Sequence, residues 1–295
     1  MPGIIDDIKA NFKKSNIVIR LIYVNAAVFA ALLLVRIIAR LFQIESILFI
    51  QETFMLNTAL VKLMLQPWSI ITHMFTHVDL WHILFNMLML YFMGQMFIQF
   101  FGEKKVLSVY LLGGLSGGVF LIISVLLLPV FKDTNSIALG ASAAVMALTI
   151  AVCTYSPLTK VHLFGILPIE LRYFGLIIFF LDLVSIGSGG ENLGGHLAHI
   201  AGAAFGFFFA RKYLHGTDVT KGFTKFLDKF FGIFKPKSDL YISHSKVRKM
   251  KDEDYNYTKK RLQEKVDEIL DKISRSGYDS LTQEEKDILH KSSKM

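Results

Sequence analysis

The chain has 295 residues, of which 53% are hydrophobic, and its mean hydropathy is +0.47. So apolar a composition, with long uncharged stretches, is rare in soluble domains and indicates a membrane protein. The net charge is +8, but Lys and Arg cluster at the termini and in short loops. This distribution is typical of membrane-protein flanks and excludes nucleic acid as the expected partner. The single cysteine, Cys153, excludes a disulfide framework or a thiolate zinc site.

Six apolar runs are long enough to be candidate membrane spans. They cover roughly 17–38, 80–101, 106–130, 138–155, 171–187 and 193–213. The first run lacks an A-x-A-type cleavage site, so we interpret it as a retained transmembrane helix. The segment 39–79 is broken by Pro67, and we expect it at the membrane interface. The predicted fold class is an all-α polytopic membrane protein.

The loops set the expected orientation. Basic residues precede the first span, join the second to the third, and follow the sixth, whereas 185–195, "SIGSGGENLGG", has none. The positive-inside rule then places both termini in the cytoplasm. We expect a multi-pass protein of a bacterial inner membrane.

Composition divides the chain into four parts: a cytoplasmic segment 1–16, a membrane domain 17–214, a basic juxtamembrane linker 215–256 and a cytoplasmic helical hairpin 257–295. In the linker, 221–237 alternates Lys with Phe. This pattern indicates either an interfacial helix on anionic lipid or an ordinary amphipathic linker. Residues 238–256 are charged, and we expect them to be flexible.

The C-terminal hairpin is predicted from helical spacing of apolar residues, with Gly277 as a stop. Thr282-Gln283-Glu284-Glu285 has the pattern of a capping box that opens a second helix. We interpret the hairpin as a module that binds a cytoplasmic partner or regulates the membrane domain.

Polar side chains inside spans are costly and mark functional sites. His82 and Asn86 are four residues apart and share a face of the second span, and His196 and His199 lie on one side of the sixth. Ser142 lies in the fourth. In the expected orientation all three helices run inward, and these residues fall within about two turns of each outer end. They can therefore share one depth.

A serine becomes a nucleophile when a neutral histidine accepts its proton. His82, Asn86 and the backbone N–H of Ser142 could then donate to a tetrahedral oxyanion. A lone serine in a transmembrane helix is more often a packing residue. The combination with His199, rather than the serine alone, therefore favours catalysis.

Small residues predict close packing of the helices that carry these groups. His199 is followed by Gly202 and Gly206, and the fourth span carries a stripe of Ala143, Ala147 and Ala151. Such faces let helices approach closely enough for short side chains to meet. Plain helix packing explains the same stripe.

Several motifs resemble the rhomboid intramembrane serine proteases. They are "GASA" at 140–143, "HILFN" at 82–86, "AHIAGAAFG" at 198–206, and the upstream "PWSIITHMFTHVDLWHILFN" at 67–86. The resemblance spans roughly 60–213 and implies a six-helix fold with a dyad of Ser142 as nucleophile and His199 as general base. It also implies an oxyanion site at His82, Asn86 and the Ser142 amide. No cofactor or metal is expected.

What the resemblance implies for partners is a lipid bilayer and transmembrane protein substrates, cleaved at small residues in sequence that is locally weak as helix. The flexible 185–195 would cap a site that opens to the outer aqueous side. Gly140, Met146, Gly202 and Gly206 would support this site, with the Met146 thioether against the edge of the catalytic imidazole. The sequence departs from the family pattern at Ser69, where arginine is common, at Ala143, where glycine is commoner, and at Met146, where an aromatic ring is frequent.

Asp182, in the fifth span, has no evident partner in the sequence. A triad acid that orients His199 is one interpretation, but the resemblance implies a dyad, so we favour a hydrogen-bonded structural role. For His196 we favour a packing or supporting role.

Other functions are weighed against the protease. An inactive rhomboid-like protein that binds and escorts transmembrane helices is the main alternative, and retention of both Ser142 and His199 disfavours it. A transporter would need paired broken helices. A metalloprotease would need an H-E-x-x-H motif, which the sequence lacks.

Overall fold

The computed structural model describes residues 3–44, 48–132, 134, 136–163, 166–189, 192–233 and 252–292. The chain divides into two compact units, Met1–Phe230 and Phe231–Met295. The helices that begin before this division are α1 Ile4–Lys14, α2 Ile17–Phe42, α3 Phe49–Glu52, α4 Leu60–Leu65, α5 Ser69–Thr72, α6 Leu80–Phe101, α7 Glu103–Leu127, α8 Ser142–Tyr155, α9 Leu171–Gly187, α10 Leu193–Leu214 and α11 Lys221–Gly232.

Among the residues that the structure describes, four helices, α2, α6, α7 and α10, are long and apolar enough to cross a membrane. The prediction of a mostly helical membrane protein is therefore confirmed. Helices α8 and α9 occupy the fourth and fifth predicted spans but are shorter, with 14 and 17 residues. At 1.5 Å per residue α8 is about 21 Å long, less than the roughly 30 Å hydrocarbon core of a bilayer. It begins at Ser142 rather than at the predicted 138.

Helix α8 is the most buried of these helices, and it packs against α6, α7 and α10. The contact depends on six small residues, which we call the small-residue seam: Gly113 and Gly117 on α7, Ala143 and Ala147 on α8, and Gly202 and Gly206 on α10. A Cβ on Gly202 would overlap the carbonyl oxygen of Ala143, and one on Gly206 would overlap that of Ala147. On the other side, a Cβ on Gly117 would lie 2.7 Å from the Ala143 Cβ. The three helices therefore meet backbone to backbone.

In its described residues, the segment between α2 and α6 contains only short elements, in agreement with the prediction that it does not span. Its strand β1, Leu56–Asn57, pairs antiparallel with β2, Ile137–Ala138, which lies just before α8. Short 3₁₀ turns cover His73–Phe75 and, after α7, Pro129–Phe131. The β1–β2 pairing therefore joins the segment between α2 and α6 to the residues that precede Ser142.

A second small sheet corrects the purely helical expectation. Strands β3, Lys160–Leu163, and β4, Leu167–Glu170, form an antiparallel hairpin between α8 and α9. Neither two-stranded sheet has an alternating apolar pattern long enough to be seen in the sequence.

The second unit contains α12, Asp252–Ser276, a 3₁₀ turn at Tyr278–Ser280 and α13, Gln283–Ser292. The predicted capping box is present, since the Thr282 backbone N–H donates to Glu285 Oε2 at 2.7 Å and the Glu285 N–H donates to Thr282 Oγ1 at 3.4 Å. The hydrogen-bonded ammonium of Lys272 lowers the pKa of the Glu285 carboxyl to about 2.

The linker prediction is partly corrected. Residues 252–256, which we expected to be flexible, form the start of α12. The rest of that expected flexible segment, 238–251, lies outside the described residues, as do 234–237 of the Lys–Phe stretch. The remainder of that stretch forms the amphipathic α11.

Candidate active site

Four of the predicted site residues meet at one cavity. It has a volume of about 350 Å³, and Ser142, His199, His82 and Gly140 all line it. The rest of the lining includes His73 and residues from α8, α10 and their preceding loops: Ile137, Ala138, Leu139, Ala143, Asn192, Gly195 and Ala198. The N-terminal ends of α6, α8 and α10 thus meet at the cavity, with His82 from α6, Ser142 from α8 and both Asn192 and His199 from α10.

The chain around Ser142 is held by hydrogen bonds from outside α8. The Gly140 N–H donates to the His73 carbonyl at 2.8 Å, and the Ala141 N–H donates to His77 Nε2 at 3.2 Å. Ser142 is the first residue of α8, where backbone N–H groups have no acceptor within the helix. The positive end of the helix dipole therefore lies at the serine.

His82 is positioned by a helix cap and by a glycine. The Asp79 side chain accepts a hydrogen bond from the His82 N–H at 2.8 Å and starts α6. Gly140 has φ +108°, and a Cβ there would lie 2.6 Å from His82 Cε1. Asn86 is buried one turn along α6 but does not line the cavity, and its Nδ2 donates to the His82 carbonyl at 2.8 Å.

Asp182 has two partners that the sequence argument did not find. Its Oδ1 accepts hydrogen bonds from Nδ1 of His199 at 2.9 Å and from Nδ1 of His196 at 2.7 Å. The carboxylate is buried, with 6% exposure, whereas the adjacent Leu181 and Leu183 of α9 are exposed. One signal in the sequence could have suggested this contact. An acid stands in an apolar helix, and after a short loop the next helix carries two histidines three residues apart.

This cluster is also a potential metal site. Among the described residues, Asp182, His196 and His199 form one group whose ligand atoms lie within 4.8 Å of one another. A tetrahedral zinc ion with bonds of 2.0–2.1 Å would separate its ligands by roughly 3.3 Å. The observed 2.7 and 2.9 Å separations are hydrogen-bond lengths, so this arrangement fits a histidine–carboxylate network better than a metal centre.

Two further histidines, His73 and His77, support the site but received no role in the sequence analysis. His73 Nδ1 donates to the Ser69 carbonyl at 3.0 Å, and the His77 ring packs edge-on to His82 at 5.2 Å. Burial lowers the pKa of each to about 4, and for His77 the charge of His82 lowers it further. Both rings are therefore neutral near pH 7, and His77 Nε2 can accept the hydrogen bond from Ala141.

The remaining predicted positions lie near the cavity without entering its lining. Met146 is buried in α8, and Gly202 and Gly206 belong to the small-residue seam. Ser69, where the family often has arginine, is buried and supplies the carbonyl that holds His73. The predicted cap 185–195 is shorter than expected, because α9 continues to Gly187 and α10 begins at Leu193.

Comparison with known proteins gives two family matches. The model of the rhomboid domain matches residues 64–216, and that of a family of unknown function, DUF6576, matches 249–295. The RHOMBOID-like protein 12, mitochondrial, of Arabidopsis thaliana is 32% identical over 146 residues, 46% of this chain and 43% of that protein. The Presenilin-associated rhomboid-like protein A, mitochondrial, of Danio rerio is 30% identical over 142 residues, 46% of this chain and 34% of that protein.

These relatives correct one expectation. The predicted location in a bacterial inner membrane, with both termini in the cytoplasm, is contradicted because both relatives are mitochondrial proteins. The matched region also spans less than half of either relative. The rhomboid domain nevertheless covers more than half of this chain and includes every residue that lines the cavity, and the chain belongs to the rhomboid family.

Proposed function

We propose that this protein is an intramembrane serine endopeptidase that cleaves transmembrane segments of other proteins. The observation that carries the proposal is the single cavity lined by Ser142, His199 and His82. Family membership supports it, since rhomboids are generally serine proteases.

In the proposed mechanism the Ser142 hydroxyl attacks the carbonyl carbon of the scissile peptide bond. His199 accepts the hydroxyl proton through Nε2 and later gives it to the leaving amine, so that an acyl-enzyme forms. Water then attacks the ester, again with His199 as base, and releases the second product. No cofactor or metal takes part in this scheme.

The tetrahedral oxyanion would be stabilised at the start of α8. The Ser142 N–H and the positive end of the helix dipole favour negative charge there. His82 shares the cavity and would supply a side-chain donor. Asn86 already uses one hydrogen of its Nδ2 amide to donate to the His82 carbonyl. It would donate to the oxyanion through the other hydrogen.

The proposed domain, 17–214, has six membrane-crossing helices, with α8 and α9 as the short fourth and fifth. A helix of about 21 Å leaves roughly 9 Å of hydrocarbon thickness for an aqueous entrance above Ser142. Water would reach the serine by that route, and the loop between α9 and α10 would cover it. The substrates expected are single-pass segments with small residues and weak helix propensity at the cleavage site.

The proposal also covers the flanking segments, the membrane location and the surface that α11 binds. Segments 1–16 and 215–256 would flank the membrane domain, and 257–295 would be a separate hairpin. The mitochondrial relatives support a mitochondrial membrane as the location. For α11 an anionic lipid surface would suit its Lys and Phe faces.

The test is reconstitution of the full chain in proteoliposomes with a model transmembrane substrate and a serine-reactive phosphonate probe. Wild type is compared with Ser142→Ala, His199→Ala and the matched control Ser124→Ala. Ser124 is a helical serine that is buried away from the cavity, and its hydroxyl donates to the Phe120 carbonyl at 2.8 Å in α7. We expect cleavage and labelling by wild type and Ser124→Ala, and loss of both in the other two variants.

Two results would contradict the proposal. Wild type that binds the substrate helix yet neither labels nor cleaves would favour the alternative of an inactive protein that binds and escorts helices. Equal cleavage by Ser142→Ala would show that the serine is a packing residue and that any protease activity came from elsewhere.

A further inference from the structure

The buried carboxylate of Asp182 lies where an acid could control the proposed general base. A charged residue within a membrane helix is costly and is normally retained with a partner. Asp182 has two, because its Oδ1 accepts from both His196 and His199. Its neighbours Leu181 and Leu183 are exposed, which leaves the acid on the side of α9 that faces the bundle.

The contact to His199 determines which ring nitrogen carries the proton. A neutral imidazole has one N–H, and the nitrogen that bonds to Asp182 Oδ1 at 2.9 Å is Nδ1. With Nδ1 as donor, the lone pair is on Nε2. That is the nitrogen required to take a proton from Ser142, which lines the same cavity as His199.

The same contact provides a counter-charge. When His199 accepts the serine proton it becomes an imidazolium, and the buried carboxylate 2.9 Å from Nδ1 stabilises that cation. The second donor, His196, approaches at 2.7 Å with its ring nearly perpendicular to that of His199, at 83°. Both histidines therefore donate to the same oxygen of the carboxylate, Oδ1, and Oδ2 is buried without a hydrogen-bond partner among the described residues.

We propose that Asp182 is the positioning residue of a Ser142–His199–Asp182 triad, fixing the tautomer of His199 and stabilising its cationic form. This inference rests on the proposed protease function and replaces the dyad expected from the family resemblance. Asp182 touches neither substrate nor the reacting atoms and acts through His199 alone. His196 donates a second hydrogen bond to Oδ1 of the carboxylate and takes no part in proton transfer.

The decisive variant is Asp182→Asn. Asparagine has nearly the same shape and can still accept hydrogen bonds, so a purely structural acceptor would be preserved, whereas the negative charge is lost. We expect kcat to fall by at least 10²-fold with KM within about twofold of wild type, since the substrate does not contact Asp182. Phosphonate labelling of Ser142 should slow in parallel. The midpoint of SDS-induced unfolding should change little.

The matched control is Asp218→Asn, the same chemical change at a carboxylate just beyond the C-terminal end of α10. Asp218 bonds to Thr220 and pairs with Lys105 at 3.8 Å, away from the cavity. Its kcat should stay within about twofold of wild type. If Asp182→Asn fails to fold, ¹⁵N NMR of histidine-labelled wild type in bilayers gives an independent test, because the proposal requires the His199 proton on Nδ1.

The outcomes distinguish failure of the protease function from failure of the triad. Wild type that neither cleaves nor labels refutes the protease function and the triad with it. An active wild type whose folded Asp182→Asn variant keeps kcat within threefold refutes the triad and leaves a Ser142–His199 dyad. A His199 proton found on Nε2 in active wild type does the same.

Discussion

Replacement of Gly202 by alanine tests whether the small-residue seam holds the proposed nucleophile and base at working distance. A Cβ at this position would overlap the carbonyl oxygen of Ala143, the residue after Ser142. A backbone oxygen cannot rotate away as a flexible side chain can. Helix α10 must therefore move relative to α8, by a distance on the order of 1 Å, to restore van der Waals contact.

That movement changes the separation of two reacting side chains, because α8 carries Ser142 and α10 carries His199. A misplacement of 1 Å can cost about 10²-fold in rate. Overpacking of this kind also costs about 1–3 kcal/mol of stability. We therefore expect Gly202→Ala to cleave about 10²-fold more slowly and to unfold at a lower SDS fraction than wild type.

The assay measures initial cleavage rates and phosphonate labelling rates in proteoliposomes, with Gly187→Ala as the matched control. Gly187 is also helical, but a Cβ there would meet nothing within 4 Å. The control should cleave at the wild-type rate. Wild-type labelling and stability in Gly202→Ala, or equal damage in Gly187→Ala, would refute the argument that backbone contact at the seam sets the geometry.

Three further changes have defined outcomes. Gly140→Ala should lose at least tenfold in labelling rate, because it adds about 1–3 kcal/mol of strain at φ +108° and a Cβ 2.6 Å from a ring atom of His82. Acidification should destabilise the protein between about pH 6.5 and 4, since His73 and His77 have pKa values of about 4 when folded and bind protons near 6.5 when unfolded. The loss is roughly 3 kcal/mol per histidine, measured by SDS unfolding at each pH. Thr282→Ala should cost about 1 kcal/mol of helix stability and speed hydrogen exchange in the first turn of α13 about fivefold.

Each of these has a result that would count against it. Gly216→Ala is the control for Gly140→Ala, because Gly216 also has a positive φ but a Cβ there would meet no described residue within 4 Å. An equal loss of labelling rate in Gly216→Ala would point to backbone strain rather than contact with His82. A flat stability profile from pH 7 to 4 would contradict the buried neutral state of His73 and His77. Unchanged exchange in α13 of Thr282→Ala would mean that the capping box contributes nothing.

The features that sequence reasoning predicted well are those with a local repeat. The spans follow from runs of apolar residues, and the seam follows from small residues four apart, such as Gly202 and Gly206. The capping box at Thr282 is likewise a short pattern with a defined geometry. In each case the residues that interact are separated by a turn of helix or belong to one face.

The contacts that could not be predicted join distant parts of the chain. The Ala141 N–H reaches His77, 64 residues away, and the two-residue β1–β2 ladder pairs segments about 80 residues apart. Asp182 is only 17 residues from His199 in the sequence. Their contact nevertheless depends on how α9 packs against α10, and the periodicity of the sequence does not determine that packing. The membrane location failed for another reason, since charge bias reports sidedness and not the identity of the membrane.

The small-residue seam also constrains how the protein can evolve or be recombined. Any substitution of a glycine adds at least one carbon at Cβ, and at Gly113, Gly202 or Gly206 that atom collides with the facing helix. At Gly202 and Gly206 the obstacle is a backbone carbonyl of α8, so no change of a facing side chain makes room for the added atom. Helices α7, α8 and α10 form one inheritable block, and a chimera with another rhomboid should exchange all three together rather than one at a time.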